Sequence, residues 1–208
     1  MSGGRVLVVG ALGRMGERVR AALDEHEGLC VGGALEAPGH PQLGREIAPG
    51  VKLSDDPSAA LGDCDAAIVF ATPEGTIAVV RSAAARGVPC VVGTTGFRPE
   101  PRAELEEHAK TIPLVVAANF SVAVNVLFHL ARRAAELLGD EFDPEIVELH
   151  HAAKIDAPSG TALRLAASVA EGLGRNLDEH AVLAREGITG ARPEQAIGIQ
   201  TLRGGDNP

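Results

Sequence analysis

The sequence predicts an α/β protein, a doubly wound parallel sheet followed by a smaller α+β domain with an open mixed sheet. Three observations carry this prediction. Strand-like and helix-like segments alternate over the first half of the 208 residues. The first strand, Val6-Leu7-Val8-Val9, is a continuous apolar run, as a strand covered on both faces requires. The texture then changes at Asn119, where one long helical stretch and isolated strands replace the alternation. The expected boundaries are a first domain over 1–118 and a second over 119–208.

Taken in order, Val6–Val9 leads into a glycine-rich turn. Met15, Val19, Ala22 and Leu23 then recur at the spacing of an amphipathic helix. Val31–Leu35 reads as a second strand weakened by Gly32 and Gly33, and Pro38–Pro41 as loop. Ala66–Phe70 is a third strand. Thr76–Arg86 is a helix closed by Gly87, with Pro89 beyond it as a stop signal. Val88–Val92, an acidic surface helix over Pro99–Lys110 and Leu114–Ala117 complete the first half. Strands separated by helices imply right-handed crossovers and hence parallel pairing. In the second half, Ser121–Leu138 reads as a long helix ending at Gly139, and Asp143-Pro144 breaks the chain before a strand over Glu145–His150. A helix begins near Ser159 and carries Leu163, Ala166, Ala167 and Ala170. Residues 175–195 are polar and irregular, and Ile197–Leu202 is a final strand.

Composition excludes several functions. Apolar residues make up 45% and charged residues 23%, an ordinary globular balance. No apolar stretch approaches the roughly 18 residues of a membrane span, and no secretory cleavage pattern follows the N-terminus, so a soluble, cytoplasmic protein is expected. With 28 acidic against 19 basic residues, net charge −9, no Trp, no Tyr and five Phe, the chain lacks the basic surface and stacking platforms of a nucleic-acid binder. Cys30, Cys64 and Cys90 are odd in number, widely spaced and set in or beside apolar runs. They are expected as core or near-core thiols, with no metal site.

Gly10-Ala11-Leu12-Gly13-Arg14-Met15-Gly16 lies between the first strand and the first helix. Three glycines so spaced allow a tight turn, close backbone approach to a pyrophosphate and close helix packing, with the helix N-terminus aimed at the anion. This is a Rossmann-like dinucleotide signature, and a purely structural turn is its alternative. Glu36, 20 residues after Gly16 at the end of the second strand, can accept hydrogen bonds from an adenosine ribose. Residue 37 is Ala, so no cation for a 2′-phosphate follows it, and NADH is expected over NADPH as cofactor, with NADPH as a secondary donor. The turns Phe70–Thr76 and Gly93-Thr94-Thr95-Gly96-Phe97 fall at the carboxyl ends of strands, where ligands of open α/β sheets bind. Ordinary helix capping by Thr72 is the alternative there.

The densest chemistry is His150-His151-Ala152-Ala153-Lys154-Ile155-Asp156-Ala157-Pro158-Ser159-Gly160-Thr161. Two imidazoles and an ammonium precede a turn whose helix N-terminus exposes backbone donors, which suits a small anionic substrate that needs proton transfer. A surface His pair and an N-capped helix are the alternative. Adjacent strand residues face opposite sides, so His150 and His151 reach one pocket only if the strand ends or bulges there.

These segments, with Ala117-Ala118-Asn119-Phe120-Ser121, Glu148–Leu163 and Arg203-Gly204-Gly205-Asp206, occur in an order that resembles the dihydrodipicolinate reductase family over nearly the whole chain. The resemblance implies reduction of 4-hydroxy-tetrahydrodipicolinate to tetrahydrodipicolinate by hydride transfer from NAD(P)H, in the diaminopimelate route to lysine. It implies that His150 and Lys154 are catalytic, and that His151, Ser159, Gly160, Thr161 and Arg203 hold a dicarboxylate substrate. Gly10, Ala11, Leu12, Gly13, Arg14, Met15, Glu36, Phe70, Gly93, Thr94, Thr95, Ala117, Ala118, Asn119 and Phe120 are implied to hold the cofactor. It further implies a homotetramer built through the second domain's sheet. Two departures stand out. Ala123 replaces a usual glycine, which would cost on the order of a kcal/mol if that position packs closely. The chain also stops soon after Arg203-Gly204-Gly205-Asp206, where family members continue, so a truncated reductase that keeps the site residues but is weakly stable or weakly active is expected. The alternatives are another nicotinamide-dependent reductase of a small imine or carbonyl dicarboxylate, and a non-catalytic nucleotide-sensing module.

Overall fold

The structure, a computed structural model, describes residues 3–206. It divides into two compact units, one ending at Ala117 and one beginning at Ala118.

The first unit is built on a seven-stranded sheet. Its strands are β1 (Gly4–Val9), β2 (Leu29–Leu35), β3 (Glu46–Ala48), β4 (Val51–Ser54), β5 (Ala66–Val69), β6 (Cys90–Val92) and β7 (Leu114–Val116). Their order is β3-β4-β2-β1-β5-β6-β7, parallel throughout except for the antiparallel edge pair β3–β4. The helices are α1 (Arg14–Glu25), α2 (Pro57–Leu61), α3 (Pro73–Ala84) and α4 (Pro99–His108). Alternation along β1 explains why its run is apolar at every position. Leu7 and Val9 join a core with Leu61, Ile77, Val80 and Leu105, whereas Val6 and Val8 join a second core with Leu23. The sheet is therefore covered on both faces. The chain reverses about β1, with β2 on one side and β5 on the other, which is the switch point of a doubly wound sheet.

Three local features depart from the sequence reading. The stretch after Pro41 carries β3, β4 and α2, which were not foreseen; β3 and β4 are short, and Pro49-Gly50 sits between them. Helix α3 begins at Pro73 rather than Thr76, because Thr72 caps it and proline suits the first helical position. Cys64 and Cys90 are buried, but Cys30 on β2 is exposed. Burial pushes the Cys90 thiol up to about 11, so it is an inert core group.

In the second unit a long helix, α5 (Val122–Leu138), packs along α6 (Gly160–Leu173). Ser121 caps α5, with Val124 N–H as donor at 3.4 Å. Three strands, β8 (Glu145–His150), β9 (Ala181–Val182) and β10 (Ile197–Arg203), form a sheet in the order β8-β10-β9. Both pairings are parallel, so the sheet is not mixed as the sequence reading had it. The long connection through α6 allows the parallel return. Within 175–195, read as irregular, lie the short helix α7 (Leu177–His180) and β9. Ile146, Ile197 and Ile199 meet Ala162, Ala166 and Val169 of α6 in a third core. The opposite face of this sheet leaves Val147 67%, Leu149 49% and Leu202 53% exposed. Ala123 is exposed on α5, so within this unit its methyl group meets none of the close packing that would have made it costly.

Candidate active site

In the first unit the turns after β1, β5 and β6 are tied together. Phe70 N–H donates to the Val9 carbonyl at 3.2 Å, and Gly93 N–H to the Val69 carbonyl at 2.8 Å. Gly10 sits at φ +72°, and a Cβ there would collide with the Phe70 carbonyl. At Gly16 a Cβ would collide with the Gly10 carbonyl, so α1 presses directly on the turn. Gly13 is the N-cap of α1 and, as a glycine, supplies no side-chain cap. A glycine-lined turn at the N-terminus of a twelve-residue helix gives a pyrophosphate room for close approach. Gly16→Ala should therefore lower stability by about 1–3 kcal/mol and weaken NADH binding together, a coupling that thermal melts and fluorescence titration of one sample would reveal.

Glu36 is half-buried at the end of β2, and its Oε1 accepts the Leu12 N–H at 2.8 Å. Its Oε2 lies 3.2 Å from the N–H of Ala37. The carboxylate thus both braces the glycine-rich turn and stands beside it. Phe70 lies with its ring over Gly93, where no Cβ would fit. Thr94 is buried, its hydroxyl 2.7 Å from that of Thr76, 3.1 Å from the Ala71 carbonyl and 3.3 Å from the Ala71 N–H. Thr94 therefore clasps the two later turns together, while Thr72 caps α3 through the Gly75 N–H at 3.2 Å. Ala117 continues from β7, its N–H on the Val92 carbonyl at 3.1 Å.

The second unit gathers most of the His–Lys–Ser segment around one carboxylate that the sequence reading assigned no role. Ile146, Glu148 and His150 alternate onto the α6 side of β8, and the register sets Thr201 opposite Glu148 and Arg203 opposite His150. Glu148, with its side chain only 8% exposed, accepts from Ser159 N–H at 2.8 Å, Thr201 Oγ1 at 3.1 Å and Arg203 Nη2 at 3.1 Å. Its other oxygen stands 2.5 Å from His150 Nδ1, an ion pair when the imidazole is protonated, although the contact lacks hydrogen-bond alignment. Burial alone would raise this carboxyl, but the Ser159, Arg203 and Thr201 donors outweigh it and hold the group at about 2.

Arg203 Nη2 also donates to the Asp156 carbonyl at 2.6 Å. Asp156 Oδ1 pairs with Lys154 Nζ at 2.7 Å, and Lys154 N–H donates to the His151 carbonyl at 3.1 Å. Burial pushes the Asp156 carboxyl up, but the Lys154 hydrogen bond and charge, together with backbone donors, leave it below its ordinary range. Ser159 is buried as the N-cap of α6, accepting from Ala162 N–H at 3.1 Å. Thr161 Oγ1 accepts from Asn119 Nδ2 at 3.3 Å, so Asn119, expected at the cofactor, is bonded to an expected substrate residue. Strand β8 ends at His150 and His151 begins the turn, which meets the condition that strand alternation sets on the histidine pair. Phe120 is 45% exposed, and Gly160 opens α6. No cluster of metal-ligating side chains and no helix long and apolar enough to cross a membrane occurs among the described residues.

Chemically, the first unit can cradle a dinucleotide and the second can move a proton beside an anion. That division of labour belongs to the nicotinamide-dependent oxidoreductases. Comparison with known proteins narrows the class. Residues 4–120 match the family model described as dihydrodipicolinate reductase, N-terminus, and residues 123–208 its C-terminal counterpart. A protein of Geotalea daltonii named 4-hydroxy-tetrahydrodipicolinate reductase is 48% identical over 209 residues, covering 97% of this chain and 78% of that protein. One of the same name from Geobacter metallireducens is likewise 48% identical, with the same coverage. Among solved structures, dipicolinate-bound dihydrodipicolinate reductase from Paenisporosarcina sp. TG-14 superposes with a TM-score of 0.66 at 24% identity, covering 97% of this chain and 79% of that one, a likeness of fold. The chain belongs to the dihydrodipicolinate reductase family.

Proposed function

We propose that the protein reduces 4-hydroxy-tetrahydrodipicolinate to tetrahydrodipicolinate with a reduced nicotinamide cofactor, in the diaminopimelate route to lysine. The observation that carries the reading is the Glu148-centred network, which ties His150, Ser159 and Arg203 to one buried carboxylate, with Lys154 joined through Asp156. Replacing a ring hydroxyl by hydrogen takes up one hydride and one proton and releases one water. The nicotinamide ring, when bound, supplies the hydride. Gly10–Met15, Glu36, Phe70, Gly93–Thr95 and Ala117–Phe120 hold the cofactor. Lys154 gives the proton as charge develops on the substrate, and His150 serves as the second proton-transfer group. His151 and the Ser159–Thr161 turn hold the carboxylates through cationic charge and α6 backbone donors. Arg203, whose Nη2 is shared between Glu148 and the Asp156 carbonyl, positions the turn as well as adding positive charge. Consumption of NADH on addition of freshly generated substrate tests this reading, and absence of turnover with active control substrate contradicts it.

NADH is the preferred donor in this reading. Glu36 stands ready to accept ribose hydroxyls and repels a 2′-phosphate, and Ala37 brings no charge to offset it. Glu36→Gln should narrow the ratio of NADPH to NADH Kd values measured by titration. An unchanged ratio would remove Glu36 from cofactor discrimination. The exposed Val147, Leu149 and Leu202 on the uncovered sheet face support assembly as a homotetramer through that sheet. A cytoplasmic location fits a biosynthetic reductase.

A further inference from the structure

Asn125, on the first turns of α5, has no part in the site as described above, yet two hydrogen-bonded steps join it to the Ser159–Thr161 turn. Its Nδ2 donates to the Asn119 carbonyl at 3.1 Å and to the Ser121 carbonyl at 2.8 Å, tying the segment that enters α5 to the helix itself. The Asn119 side chain is in turn fixed at both ends. Its Oδ1 accepts the Ser121 N–H at 2.8 Å, and its Nδ2 donates to Thr161 Oγ1 at 3.3 Å.

The polarity of that last bond has a chemical consequence. A backbone N–H can only donate, so Ser121 marks the oxygen end of the Asn119 amide and leaves its NH2 group facing Thr161. The Thr161 hydroxyl therefore accepts from Asn119, and its own hydrogen points elsewhere. Neighbouring donors at the start of α6 are committed. The Gly160 N–H supports the Asp156 carboxylate, and the Ala162 N–H donates to Ser159 Oγ at 3.1 Å. Among the described residues the Thr161 hydroxyl has no acceptor of its own, so its hydrogen is open to an anion at the turn.

We propose that Asn125 is a positioning residue for substrate binding: by holding Asn119 in place, it makes the Thr161 hydroxyl a donor to a substrate carboxylate. The proposal rests on the reading of the Ser159–Thr161 turn as the carboxylate site. A hydrogen bond to an ionised acceptor is among the stronger ones, and a hydroxyl already oriented by one partner loses less freedom in making it. Asn125 itself is exposed, so water replaces its amide on the two carbonyls and its removal costs the fold little. Its effect belongs in substrate affinity rather than in melting temperature.

Calorimetric titration of the whole chain with dipicolinate, a planar dicarboxylate, in the presence and absence of NADH tests the assignment. Asn125→Ala should weaken dipicolinate by about 5- to 20-fold, while the Kd for NADH moves less than about twofold and Tm stays close to wild type. Asn125→Asp, which keeps the shape but not the N–H donors, should lose as much, and Asn125→Gln should recover part of the loss. Thr161→Val removes the hydroxyl with little change of shape and should weaken dipicolinate by about 10- to 100-fold. Adding Asn125→Ala to it should then change the Kd less than about twofold, because both substitutions act through one hydroxyl. Additive losses in the double variant, or an unchanged dipicolinate Kd in Asn125→Ala, would overturn the proposal. So would equal weakening of NADH, which marks a general disturbance of the segment. Failure of Thr161→Val to weaken dipicolinate, or of wild type to bind it, would instead overturn the carboxylate reading beneath it.

Discussion

Lys154→Ala lowers kcat by about 10²–10⁴-fold and leaves the Kd for NADH unchanged, because proton donation matters in the transition state and not in cofactor binding. The structure supplies the geometry behind this expectation. Lys154 lies in the turn that follows β8, its side chain 20% exposed and its Nζ 2.7 Å from Asp156 Oδ1. Asp156 is in turn tied through its carbonyl to Arg203. The ammonium is thus held by a carboxylate that stays ionised, on a loop braced from β10. Steady-state kinetics with a separate NADH titration gives the two numbers. Weakened NADH binding with an intact kcat would take Lys154 out of proton transfer.

Glu148→Ala is expected to destabilise the chain by about 3–5 kcal/mol, since it leaves the Arg203 guanidinium without its carboxylate counter-charge and the Ser159 N–H without its acceptor in a buried site. For a chain of this length that corresponds to a Tm lower by about 10 °C in calorimetry. Glu148→Gln keeps the shape and one acceptor but loses the ion pairs to His150 and Arg203, so kcat should fall further than stability does. The pH dependence has a definite sign. The folded carboxyl is depressed from 4.5 to about 2, so its contribution is complete above pH 4.5 and is lost as pH falls toward 2. A shift of that size is on the order of 3 kcal/mol. Wild type should lose stability steeply across that interval, and Glu148→Gln should not show this component. Parallel acid-unfolding curves for the two proteins would refute the assignment.

Glu148 also shows where the sequence stops being informative. The strand over Glu145–His150 was legible from its place between Pro144 and the histidine pair, and period-two alternation puts Glu148 on the side of His150. That Ser159, Thr201 and Arg203 converge on it was not legible, since β10 returns about fifty residues later and its parallel register is a tertiary outcome. The same limit hid the β3–β4 hairpin, since a short hairpin with Pro49-Gly50 at its turn carries weak local signals and is placed by its pairing with β2. By contrast, the glycine-rich turn was readable because its constraint is local. Gly10 and Gly16 are required by contacts with the turns themselves. Thr94 lies between these cases, since its position at a strand end was evident but its use as a clasp to Ala71 and Thr76 was not.

The central claim is that these residues reduce 4-hydroxy-tetrahydrodipicolinate by hydride transfer from a nicotinamide. Turnover with NADH deuterated on the transferring face of the nicotinamide ring, followed by mass spectrometry of the product, tests it most directly. The account predicts tetrahydrodipicolinate carrying one deuterium per NADH consumed, and predicts that Lys154→Ala slows its appearance by the factor given above. Unlabelled product, or substrate left unchanged while NADH remains intact, would contradict it.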